Sequence, residues 1–95
     1  RIVVGSSNST NVHFYDNNGN SVGTITGQSN YFGQYKGSIA VYGTDGNELI
    51  AIGEWLGDVE GSNYGDVYLY DGNLNLIGRL SGHDGGYFGS KVGIM

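Results

Sequence analysis

Few residues of this chain have the type and spacing for chemistry. His83-Asp84 sets a base beside a carboxylate, the raw material of acid–base catalysis. Neighbours on an extended chain point to opposite sides, and the surrounding GHDGGYFG is a glycine-rich connector, so the pair reads as a loop feature. His13 aligns with Tyr68 on an alternating segment and reads as a side chain packed on a sheet face. The stretch EWLGDVEGSNYG brings the single Trp, Trp55, close to Asp58, Glu60, Asn63 and Tyr64. That set suits stacking on a glycan or contact with a protein ligand, and Asp58, Glu60 and Asp66 together offer oxygens to a cation. The plainer alternative is that Trp55 fills a gap between neighbouring sheets while the carboxylates face water. Asn8 opens an Asn-Ser-Thr triplet, the acceptor pattern for N-glycosylation. There is no cysteine, and no G-x-S-x-G, P-loop, G-x-G-x-x-G or H-E-x-x-H occurs. The expectation is therefore no catalytic residue, no cofactor and no metal: not an enzyme.

Charge narrows the partners. Nine acidic against four basic residues give a net charge of -5, which repels a phosphate backbone, so nucleic acid is not expected. No apolar run is long enough to insert in a membrane as a helix. The chain opens on Arg1 rather than Met, as expected of a segment of something longer.

The elements that position these residues repeat. SNYFGQ at residues 29–34 has a near-copy in GGYFGS at 85–90, and the residues ahead of each align without a gap. Val12, Phe14, Tyr15, Asp16, Gly23, Ile25 and Gly27 fall on Val67, Leu69, Tyr70, Asp71, Gly78, Leu80 and Gly82, an offset of 55. Further back IVVG (2–5) matches IAIG (50–53), and downstream SIAVY (38–42) matches KVGIM (91–95). The whole chain thus belongs to one supersecondary repeat, the mark of a solenoid, propeller or array.

Within the repeat, short alternating apolar runs lie between turn residues, so the fold class is all-β. Strands are predicted near 1–5, 12–16, 21–27, 37–43, 48–53, 66–71, 75–81 and 91–95, with no helix longer than one turn. LIAIG is apolar throughout, as in a strand covered on both faces, whereas DVYLYD sets Val67 and Leu69 opposite Tyr68 and Tyr70. Four antiparallel strands make one blade-sized sheet with two apolar faces, and such sheets stack as β-propeller blades. Residues 1–36 read as a partial blade (strands two to four and a connector), 37–90 as a complete blade and connector, and 91–95 as the first strand of a further blade. Phe32 and Phe88 are expected to be buried at equivalent blade junctions.

YFG before SIAVYG, then LIAIGEW, then GDVYLYD resembles the FG-GAP repeat of integrin-like β-propellers. Phe32-Gly33 and Phe88-Gly89 match its first element, and Asp66 to Tyr70 its last. Gly-Ala-Pro is replaced in both units, and the chain has no proline. Many such blades hold calcium in an Asp-x-Asp-x-Asp-Gly loop. The corresponding GTDGNE offers only Asp45, Asn47 and Glu48, so calcium is not expected and chelators should leave the fold intact. The resemblance implies an extracellular or cell-surface module for adhesion or structural assembly. The alternatives are a lectin-like glycan-binding propeller and a fragment of a larger propeller enzyme. In the repeat frame Lys91, Val92, Gly93, Ile94 and Met95 form an innermost strand without its blade, and Arg1, Ile2, Val3, Val4 and Gly5 a second strand lacking its inner neighbour. These assembly strands are expected to pair antiparallel with another copy or a flanking blade, closing a six- or eight-bladed ring or running on as a filament.

Overall fold

The computed structural model describes residues 1–5, 10–27, 32–33, 38–44, 46–54, 65–82, 88–89 and 91–94. The described residues form two antiparallel sheets and no helix. The first sheet has three strands in chain order, β1 (Ile2–Val4), β2 (Asn11–Tyr15) and β3 (Ser21–Thr26). The second has four, β4 (Ile39–Tyr42), β5 (Leu49–Glu54), β6 (Asp66–Asp71) and β7 (Leu76–Ser81), also in chain order. Each is a meander, every strand pairing antiparallel with the one before it.

Seven of the eight predicted strands form, all within the predicted segments give or take a residue. The eighth does not: Lys91 to Ile94 belong to no strand. A strand exists only through a partner's hydrogen bonds, and no described strand lies alongside this segment to supply them.

Alternation decides which side chains meet. Val12 and Phe14 on β2, with Ile25 on β3, turn toward Ile50 and Ile52 on β5 and Tyr68 and Tyr70 on β6, forming one buried cluster between the sheets. Val3, Ile39 and Leu74 pack on its margin. Phe32 completes it, fully buried, with its ring edge-on to Tyr68 at a centroid separation of 5.8 Å. β5 is covered on both faces, as its unbroken apolar sequence predicts: Ile50, Ala51 and Ile52 are all buried.

The two sheets share local geometry down to single hydrogen bonds. In the β2–β3 turn the Asp16 carboxylate accepts the backbone N–H groups of Asn18 and Asn20, each at 2.9 Å. In the β6–β7 turn Asp71 accepts those of Asn73 and Asn75, at 2.9 and 3.0 Å. Both are Asx turns, in which a short carboxylate replaces a missing backbone acceptor. The αL position is Gly19 in the first (φ 84°) and Leu74 in the second (φ 65°). Leucine is held in this unfavourable conformation while packing over Gly23, where a Cβ would collide with its side chain. Both hairpins carry a register shift at the same place, Phe14/Tyr15 and Leu69/Tyr70.

Candidate functional site

Most of the residues singled out for chemistry lie outside the described residues: Asn8, Trp55, Asp58, Glu60, Asn63, Tyr64, His83, Asp84 and Met95, together with Asp45 of the β4–β5 turn. Those that are described are held by their own neighbours. His13 sits on β2 with Nδ1 3.2 Å from Thr24 Oγ1 on β3 and its ring 6.4 Å from that of Tyr15, a side chain packed along a sheet face. Asp66 is fully buried, opposite Glu54 in the β5–β6 ladder, and one carboxylate oxygen accepts the Ser81 hydroxyl at 2.6 Å. The equivalent pair in the first sheet is Thr26 Oγ1 donating to Asn11 Oδ1 at 2.8 Å. The position is therefore a polar strand-edge contact of the repeat, with a carboxylate in one unit and an amide in the other.

Glu48, read from sequence as a turn residue, does something the sequence did not signal. Its side chain is buried, with Oε1 accepting the Gly46 N–H at 2.8 Å and Oε2 3.2 Å from Arg1 Nε. Arg1 NH1 also donates to the Gly72 carbonyl at 3.0 Å. One guanidinium thus clamps the start of the first sheet onto two turns of the second. Only the pairing in space reveals it, since the partners stand 47 positions apart in the chain. Among the described residues no group of three or more His, Asp or Glu side chains is placed to hold a metal ion.

Burial acts on two tyrosines. Removal from water, reinforced by the Glu54 carboxylate and for Tyr68 by Asp66, pushes the Tyr68 and Tyr70 hydroxyls up to about 12. In the exposed turn of the first sheet, the backbone N–H of Asn20 above all holds the Asp16 carboxyl below the usual range.

The Phe-Gly dipeptides mark where sheet meets sheet. Gly33 and Gly89 both have positive φ, 63° and 91°. A Cβ on Gly5 would run into the Gly33 carbonyl oxygen, and a Cβ on Gly53 into the Gly89 carbonyl oxygen. Gly33 N–H in turn donates to the Gly53 carbonyl at 2.8 Å. Gly5, Gly33, Gly53 and Gly89 therefore make a column of close backbone approaches through both sheets, and the aligned positions do the same thing twice. No family profile, curated protein or solved structure matches the chain.

Burial departs from the expected equivalence. Phe32 is 0% exposed, but Phe88 is 39% exposed. Phe32 is covered by β5 and β6, bridging to Glu54 and meeting Tyr68, and among the described residues no second sheet lies over Phe88. Instead Phe88 rims an apolar groove of about 400 Å³ on the far face of the four-stranded sheet, floored by Ala51, Val67, Leu69 and Leu80 and walled by residues 91–94. At the opposite end of the stack, Ile2 and Val4 stand 48% and 45% exposed on the outer face of the three-stranded sheet. Among the described residues, no further sheet covers the groove or the Ile2–Val4 side chains.

Proposed function

We propose that this chain is a non-enzymatic β-propeller-type module, built of FG-GAP-like blades and serving as an adhesion or structural assembly unit outside the cell or at its surface. The observation that carries the reading is the doubled junction, in which Gly5–Gly33 and Gly53–Gly89 make the same close approach at the end of two meander sheets. Sheets related in this way stack by rule, each using one face for the unit before it and one for the unit after. The polar side chains support a structural role too. The carboxylates of Asp16, Asp71, Glu48 and Asp66 accept hydrogen bonds from turns and neighbouring strands. In this reading residues 1–36 and 37–90 belong to successive blades and 91–95 begin a third.

Sedimentation of the purified chain over a range of concentrations, with electron microscopy of the heaviest species, tests the reading. Rings or filaments of stacked sheets are expected. A folded 10.1 kDa monomer at every concentration would overturn it.

A further inference from the structure

The chain holds one sheet-to-sheet interface inside it and two apolar faces outside it, and the repeat relates them. Inside, Val12, Phe14 and Ile25 meet Ile50, Ile52, Tyr68 and Tyr70. The alignment of the units carries the first set forward onto Val67, Leu69 and Leu80, which floor the outer groove. It carries Ile50 and Ile52 back onto Ile2 and Val4, the exposed apolar pair on the opposite outer face. The two outer faces are thus counterparts of the two halves of the buried interface, and each is complementary to the other rather than to itself.

Residues 91–94 extend the correspondence. Ile39 packs on the margin of the internal cluster, and its counterpart Val92 lines the outer groove. β4, to which Ile39 belongs, pairs with β5 in the register Ile39↔Ile52, Ala40↔Ala51, Val41↔Ile50. Translated by the repeat, that register sets Val92 opposite Val4, Gly93 opposite Val3 and Ile94 opposite Ile2. Among the described residues β1 pairs with β2 alone, and an edge strand is a template for pairing with another strand.

We propose that a second copy of this chain docks head to tail. Its Ile2–Val4 face covers the groove of the first copy, and its β1 adds antiparallel to residues 92–94 in that register. The proposal rests on the assembly reading above and specifies its interface. Such a contact is heterologous, so each copy keeps one face free and growth continues until a ring closes or a filament forms. Three features of the internal interface have no counterpart between copies. The buried Tyr68 is replaced by His13, which lies beside Thr24 on the Ile2–Val4 side of its sheet. Leu74 packs over Gly23 inside the chain, whereas its equivalent Gly19 would face Gly78 across the copies. The Arg1–Glu48 clamp is replaced by Leu49 at Arg1's equivalent position. The contact between copies is accordingly weaker than the one within, and its occupancy depends on concentration.

The absence of native cysteine lets engineered thiols report the register. Gly53 N–H donates to the Ser38 carbonyl, which makes the adjacent Ile39–Ile52 pair non-hydrogen-bonded, the kind with the closest side chains. Val4→Cys and Val92→Cys chains, mixed and oxidised, should give a cross-linked heterodimer in excess of either homodimer, and the doubly substituted chain a ladder of multimers. Leu80→Asp, at a site 53% exposed within one chain, should abolish association while leaving the circular dichroism melt within a few degrees of the parent. Particles that sediment above the monomer yet yield only homodimeric cross-links, or that persist in Leu80→Asp, would overturn the docking while sparing the assembly reading. A monomer that never cross-links would overturn both.

Discussion

The three-stranded and four-stranded sheets carry the same pattern and meet different fates. Ile50 and Ile52 are fully buried, while their counterparts Ile2 and Val4 are nearly half exposed. Ile25 is 5% exposed and its counterpart Leu80 53%. Each sheet has apolar side chains on both faces, and within the chain each has one face covered by the other. Burial is therefore a property of position in the stack, and a side chain equivalent by sequence contributes its apolar area only where a neighbour removes water from it.

Four measurements break or sharpen that comparison. The largest contrast is expected at the two phenylalanines. Phe32→Ala empties a fully buried site and should cost about 3–5 kcal/mol in denaturant unfolding, against about 1 kcal/mol for Phe88→Ala in the unassociated chain. Equal losses would mean that Phe88 is covered in solution and that the sheets do not differ as described.

Next come the glycines. Gly53→Ala drives a methyl group into the Gly89 carbonyl and should destabilise by about 2 kcal/mol or more, since backbone on both sides must shift. Gly93→Ala, with no atom within 4 Å of the added carbon, should leave the melting temperature unchanged. A tolerated Gly53→Ala would deny the close approach on which the repeat geometry rests.

The Asx turns should behave alike, because they form the same hydrogen bonds in both sheets. Asp16→Ala and Asp71→Ala are each expected to lower the melting temperature slightly and to the same extent, by leaving two turn N–H groups to water. A loss confined to one turn would show that the units differ locally as well as in burial.

The smallest effect at neutral pH concerns the tyrosines, and it emerges only in alkali. Tyr68 and Tyr70 ionise near 12 in the folded chain and near 10 once unfolded. The unfolded state releases these protons first, so the stability they carry is complete below pH 10 and is lost as pH rises from 10 through 12. Absorbance titration should show a late-ionising class of tyrosines that vanishes in denaturant. A single transition near 10 in the folded chain would place both rings in water.

Local chemistry was legible in the sequence. Alternation in NVHFY and DVYLY fixes which side chains share a face, and Asp followed at two and four residues by Asn fixes the turns, because both depend on contacts within a hairpin. The repeat itself was legible in the alignment of Gly5 with Gly53 and of Gly33 with Gly89, but the Gly5–Gly33 and Gly53–Gly89 approaches appear only in the structure. Long-range choices were not. Nothing in the sequence around Glu48 announces that Arg1 lies beside it, and nothing near Leu74 announces that a leucine is held at φ 65° to pack over Gly23. The expectation that residues 91–95 form a strand failed at 91–94 for the same reason, since strand character requires a partner as well as a pattern. The sequence by itself determined what each face is made of. Only the tertiary structure decided which faces are covered, because burial depends on what stacks against a sheet and not on what the sheet contains.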